Sequence, residues 1–206
     1  MKLLYVSPER LSSEIFQVKL RHMRVSFITV DEAHCISQWG YDFRPAYLEI
    51  GNLRKIKPDV PVLALTATAT PQVIDDIQSK LAFRARNVFR MSFERKSLSY
   101  VVRKAENKPA ELVHILRRVA GSAIVYVRSR RRCREIAEFL EGEGIDSTFY
   151  HAGLEHSTRD ERQKLWQEDK KRVIVATNAF GMGIDKPDVR TVIHFDCPDS
   201  VEAYFQ

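Results

Sequence analysis

The chain has 206 residues, 44% of them hydrophobic and 10% aromatic, enough for a real core and too many for a disordered chain. Thirty-three Lys and Arg against 27 Asp and Glu leave a formal charge of +6, which permits a polyanionic partner without demanding one. No apolar window is long enough for a membrane span, and the N-terminus is apolar for too few residues to be a signal peptide. The three cysteines, Cys35, Cys133 and Cys197, are odd in number and far apart. They form neither a disulfide framework nor a metal-ligand pattern, which fits a reducing, intracellular setting.

Along the chain, short apolar runs alternate with helix-length amphipathic segments, the pattern of βαβ units and a buried parallel sheet. Strands are expected at Leu3–Val6, Phe27–Val30, Val62–Thr66, Val88–Met91, Tyr100–Arg103, Ala123–Val127, Ser147–Tyr150, Val173–Ala176 and Thr191–Phe195. Helices are expected at Pro8–Met23, Pro71–Leu81, Pro109–Val119, Arg130–Glu141 and Ser157–Glu168, several opening on a proline that suits a first helical position. The polar stretch Ser92–Ser97 is a candidate linker and divides the chain into lobes at 1–93 and 94–206.

The apolar run Phe27–Val30 leads directly into Asp31-Glu32-Ala33-His34. Two carboxylates at the end of a parallel strand sit where such sheets bind ligands. The first acid suits Mg²⁺ held through water, and the second suits a water attacking a γ-phosphate; the plainer alternative is a polar loop start. The next segment, Cys35-Ile36-Ser37-Gln38-Trp39-Gly40-Tyr41-Asp42-Phe43-Arg44-Pro45, mixes aromatics with Gly, Asp, Arg and Pro. Such a loop stacks on unpaired bases, or else Trp39 and Phe43 anchor it to the core. Thr66, Thr68 and Thr70 alternate after a buried run, either bridging a nucleotide site or capping the helix at Pro71.

In the second half, Ser129 reads as a helix N-cap, with Arg130–Arg132 in the first turn. Cations at that end oppose the helix dipole, unless a phosphate lies near; the plain alternative is a solvated charge run. His151-Ala152-Gly153-Leu154 follows a strand, and Ala179-Phe180-Gly181-Met182-Gly183-Ile184-Asp185 is a glycine-bearing loop suited to close backbone approach.

In this order, the segments resemble the RecQ family of superfamily-two DNA helicases. The likeness rests on Asp31–Gly40, Asp42–Pro45, Leu65-Thr66-Ala67-Thr68-Ala69, Tyr150–Leu154 and Ala179–Ile184, and it covers nearly the whole chain. It implies an α/β fold of two RecA-like parallel-sheet lobes, the first incomplete, and an ATP-driven motor moving 3′→5′ on single-stranded DNA. It implies Asp31 as the Mg²⁺ ligand, Glu32 as the residue activating water, and His34, Gln38, Gly183 and Asp185 about the nucleotide. Ser7, Arg10, Trp39, Phe43, Arg44, Ser129, Arg130, His151 and Thr177 are implied at the DNA, with Thr66 and Thr68 coupling the lobes.

No glycine in the 206 residues is followed by lysine, so the phosphate-binding loop Gly-x-x-x-x-Gly-Lys-Ser/Thr is not among them. The final arginine motif is also expected beyond the last residue. The resemblance therefore implies a piece of a helicase core that is inactive by itself, holding no zinc, bound to single-stranded or partly duplex DNA and not to a membrane. It implies a cytoplasmic or nucleoid-associated place, nuclear in a eukaryote. A binding remnant without catalysis and an RNA helicase are the alternatives.

Overall fold

The computed structural model describes residues 2–40, 42–92, 95–181 and 184–205, without the side chains of residues 202 and 205. The chain divides into two compact units, residues 1–94 together with 200–206, and residues 95–199. The expected lobe boundary at 93/94 lies outside the described residues, as does Gly183.

In the first unit, Pro8 opens a 3₁₀ turn, Pro8–Ser12, followed by α1, Glu14–His22. A single helix was expected over Pro8–Met23. It breaks because Ser13 is extended (φ −68°, ψ 123°) and the Ser12 hydroxyl donates to the Glu9 carbonyl at 3.0 Å. Serines offer the backbone such competing bonds. Strand β1, Ile28–Val30, pairs in parallel with β2, Val62–Ala64, with Val30 opposite Ala64. Between them lie two 3₁₀ segments, Ala33–Ile36 and Pro45–Asn52, the second running into α2, Leu53–Ile56. Helix α3, Pro71–Lys80, begins where the Thr70 side chain accepts from the Val73 N–H at 3.4 Å. Its apolar face, Val73 and Ile77, packs with Val30, Ile36 and Ile50 in one core.

The second unit contains α4, Lys108–Arg118, β3, Ser122–Tyr126, α5, Arg130–Gly142, and β4, Ser147–Tyr150. It continues through α6, His156–Gln167, β5, Val173–Ala176, and β6, Val189–His194. The chain ends on α7, Val201–Phe205, which groups with the first unit. The four strands form a parallel sheet in the order β4-β5-β3-β6. Every residue of β5 is buried, as expected for a central parallel strand covered on both faces. Tyr126 and Tyr150 both register with Ala176, so β3, β4 and β5 end level with one another. The loops that follow them therefore emerge along one edge, where open α/β sheets bind ligands.

Three expected strands are not formed: Leu3–Val6, Val88–Met91 and Tyr100–Arg103 carry no ladder. Tyr5, Phe89 and Val102 in them are 88%, 96% and 98% exposed. An apolar run is a strand only where a neighbour pairs with it, and periodicity does not report the neighbour. The remaining strands differ from expectation by at most two residues at either end.

Candidate functional site

Strand β1 ends at buried Val30, and the chain turns sharply at once. Glu32 has φ 48° and ψ 42°, a left-handed conformation uncommon for a residue with a side chain. The turn is held because the Glu32 N–H donates to Asp31 Oδ1 at 2.9 Å and the Ala33 N–H donates to the Leu65 carbonyl at 2.9 Å. Asp31 is exposed at the strand end and Glu32 is half-buried, whereas Ala33, His34, Cys35 and Ile36 after them are buried. The acid pair therefore sits at the rim of a packed core.

His34 gathers the other groups. Its Nδ1 lies 3.0 Å from the Thr66 hydroxyl and 3.4 Å from Glu32 Oε2. Thr66 Oγ1 in turn lies 3.3 Å from the Thr68 N–H and 3.4 Å from its carbonyl. Burial pushes the His34 imidazole below its ordinary pKa, against the opposing pull of the Glu32 and Asp42 carboxylates. A neutral ring there accepts or donates at Nδ1 by tautomer. Cys35 is buried, and burial with the Asp42 charge raises its thiol to about 11, so it is not a nucleophile at neutral pH.

The aromatic loop is rooted firmly and presents its tip. Ser37 is wholly buried, while Gln38 and Trp39 are exposed, Trp39 by 67%. Trp39 is therefore not the core anchor of the plainer expectation. Gly40 folds back so closely that a Cβ would stand 2.6 Å from the His34 carbonyl oxygen. Phe43 is half-buried, and Arg44 donates from Nε and Nη2 to Asp42 Oδ2 at 2.9 and 2.7 Å. The turn bearing Ser7 and Arg10, both exposed, is nearby. Glu9 is held below the ordinary carboxylate range by its own backbone N–H, by Ser7 and by Arg44.

On the second unit, Ser129 caps α5 by accepting the Arg132 N–H at 3.2 Å, as expected, and Arg130–Arg132 form the first turn. Arg130 rests on Gly153, where a Cβ would stand 2.6 Å from its Nη1. Ser129, Arg130 and the His151–Gly153 loop are thus drawn together at the sheet edge. Thr177, buried, donates its N–H to the Tyr150 carbonyl at 3.3 Å and joins them there. His151 Nδ1 and Arg159 Nε are buried with no hydrogen-bond partner. His151 stacks on Phe149, over which Arg162 lies at 3.6 Å. Burial, then Arg130 and Arg162, depresses the His151 pKa. An edge that carries the Arg130 guanidinium against the His151–Gly153 loop suits an anion. Asp185 is exposed in the loop after Gly181.

Sequence patterns did not indicate Ser37, Asp76 or Lys80. The Ser37 hydroxyl donates to Asp76 Oδ2 at 2.7 Å, and Lys80 reaches both Asp76 Oδ2 at 3.0 Å and the Ile36 carbonyl at 3.2 Å. Asp76 and Lys80 look like an ordinary i,i+4 surface pair on a helix. Nothing in their spacing points to a serine 39 positions earlier.

Two parallel-sheet units, an acid pair at a strand end and a level loop edge are features of a RecA-like α/β fold. Comparison with known proteins agrees. The DEAD/DEAH box helicase family matches residues 1–77, and the helicase conserved C-terminal domain family matches residues 107–206. The yeast (Saccharomyces cerevisiae) Dbp5 L327V structure superposes with a TM-score of 0.71 at 18% identity, over 93% of this chain and 52% of its own. The Mycobacterium smegmatis Lhr structure superposes with a TM-score of 0.71 at 20% identity, over 96% of this chain and 28% of its own.

Along its full length the chain is similar to helicases of the RecQ family. It is 45% identical over its full length to the ATP-dependent DNA helicase RecQ of Pasteurella multocida and 44% identical to that of Bacillus subtilis. It is likewise 45% identical to the RecQ-like DNA helicase BLM of Xenopus laevis. It spans 33%, 35% and 16% of those relatives' lengths. No helix among the described residues is long and apolar enough to cross a membrane.

Proposed function

We propose that this chain is part of an ATP-driven DNA helicase that moves 3′→5′ on single strands, contributing the hydrolytic acids and most of the DNA-facing loops. The observation that carries this is the sharing of His34 Nδ1 by Glu32 and Thr66. The acid that would activate water, and the threonine segment that would report to the rest of the motor, meet on one neutral imidazole.

Asp31 suits a magnesium ion because that cation keeps most of its waters and needs only one or two carboxylates besides phosphate. Its Oδ1 accepts the Glu32 N–H, leaving Oδ2 for a metal-bound water. Bound there, Mg²⁺ would neutralise phosphate charge as it develops. Glu32 would orient and deprotonate the attacking water, with Gly183 and Asp185 at the nucleotide and Gln38 beside His34. Trp39, Phe43, Arg44, Ser7 and Arg10 would meet DNA on one unit, and Ser129, Arg130, His151 and Thr177 on the other. A DNA substrate fits a place in the cytoplasm or at the nucleoid, or in the nucleus of a eukaryote.

The 206-residue polypeptide holds no Gly-Lys step and so no backbone cradle for a triphosphate. By itself it is expected not to turn over ATP. Titration with single-stranded oligonucleotides, read by Trp39 fluorescence at several salt concentrations, tests the DNA assignment. Binding should weaken with a log–log slope of about −0.7 per phosphate contact. Tighter binding to RNA of the same sequence would favour an RNA helicase, and no response to oligonucleotide or salt would overturn the assignment.

A further inference from the structure

We propose that Asp76 of α3 is a positioning residue that holds the Trp39 loop in register with the Glu32–His34 acid site. Three bonds run in series. The Trp39 N–H donates to Ser37 Oγ at 3.2 Å, the Ser37 hydroxyl donates to Asp76 Oδ2 at 2.7 Å, and Lys80 Nζ donates to the same carboxylate oxygen at 3.0 Å. Lys80 also donates to the Ile36 carbonyl at 3.2 Å, so helix and loop root are stitched twice. The root has no slack elsewhere, since Ser37 is wholly buried and Gly40 lies against the His34 backbone.

The same helix reaches the acid site from its other end. Its cap, Thr70, follows the Thr66–Thr68 turn by two residues, and Thr66 is bonded to His34. A displacement of α3 is therefore felt at both His34 and Trp39. Conversely, whatever moves Trp39 pulls on α3 through Ser37. An exposed i,i+4 pair contributes little, but here the acid also accepts a buried hydroxyl, and such a charge-assisted bond is stronger than a neutral one. Asp76 is bonded to Ser37 and Lys80 rather than to the acid pair, so its effect passes through Ser37. The inference rests on the helicase assignment only for its purpose; the mechanical link stands on the first unit's geometry.

The test uses the 206-residue chain, with Trp39 mobility read by fluorescence anisotropy and acrylamide quenching; Trp166, fully buried in the other unit, adds the same background to every variant. Asp76→Ala should shift the ratio of ordered to loosened loop by about tenfold to a hundredfold, the usual weight of a hydrogen bond to a charged group. Asp76→Asn keeps a carbonyl oxygen for Ser37 and should restore most of the order, a rescue that a merely structural loss would not show. Ser37→Ala leaves the helix and its ion pair intact, should loosen Trp39 to a similar degree, and should add nothing to Asp76→Ala in the double variant. It serves as the test if Asp76→Ala fails to fold. A loop that loosens while oligonucleotide leaves every variant unaffected supports the link and counts against the DNA assignment alone. Trp39 anisotropy and quenching unchanged in both folded single variants, or additive effects in the double variant, would overturn the proposal.

Discussion

His34 and Thr66 are hydrogen-bonded at 3.0 Å across 32 residues of sequence, and the same nitrogen lies 3.4 Å from the Glu32 carboxylate. The pairing joins the end of β1 to the turn after β2, beyond the last ladder pair, Val30 with Ala64. Removing the hydroxyl takes a partner from a buried ring while leaving the shape of the turn. Thr66→Val should therefore cost the first unit about 1–3 kcal/mol, the ordinary penalty for depriving a buried polar group. Thr66→Ser should cost much less. Urea unfolding followed by Trp39 emission reads both, and equal midpoints for Val and wild type would show that the bond is not formed in solution.

The depressed pKa of His34 sets a pH dependence of definite sign. Its folded value lies below the unfolded value of about 6.5, so the fold favours the neutral ring. That stability is fully present above the unfolded pKa and is lost as pH falls from there toward the folded pKa. The slope contributed is at most about 1.4 kcal/mol per pH unit for one proton. Unfolding midpoints at pH 7.5 and 5.5 should fall for the wild-type chain more than for His34→Gln, which has no proton to gain. Equal losses would show that another group carries the acid sensitivity.

Much of the second unit was legible in its sequence. Strands β4 and β5 stand where their apolar runs lie, and Ser129 caps α5 as its position before a helical period implies. These elements owe their form to local pattern and to strands that pair within the same unit. The first unit was less legible. The segment Pro45–Ile56, folded as 3₁₀ and α turns, was not foreseen. Gly51 interrupts its helical period and is there because a Cβ would stand 2.6 Å from the Lys80 carbonyl oxygen. The acid pair and its neighbouring loop were recognisable from residue order. The bonds that fix them, from Thr66 to His34 and from Asp76 to Ser37, join positions too far apart for any period to mark.

Glu32 offers a separate check, because its backbone is left-handed. A residue with a Cβ is disfavoured there by roughly 1–2 kcal/mol, a cost that glycine avoids. Glu32→Gly should therefore exceed Glu32→Ala in stability by about 1 kcal/mol, since both lose the carboxylate and only one loses the Cβ. The reverse order in thermal unfolding would mean that the turn relaxes in solution. A more stable glycine variant would show strain held at the residue assigned to activate water, as functional sites often hold it.

Gly40 and Gly142 make opposite predictions from the same substitution. At Gly40 a Cβ would meet the His34 and Ser37 carbonyl oxygens at 2.6 and 3.1 Å, both backbone atoms that cannot swing aside. Gly40→Ala should destabilise the first unit by about 1–3 kcal/mol, the usual range for overpacking, and should raise acrylamide quenching of Trp39 as the loop is pushed off its root. Gly142 is the last residue of α5 and has nothing within 4 Å of a built Cβ. There, Gly142→Ala restricts only the unfolded chain and should stabilise the second unit by about 0.4–1 kcal/mol. Trp39 lies in the first unit and Trp166 in the second, so each change is assignable when the other tryptophan is replaced by phenylalanine. A Gly40→Ala chain that keeps wild-type stability and quenching would mean that the loop does not fold back on the His34 carbonyl. The close approach that presents Trp39 beside the acid site would then be absent.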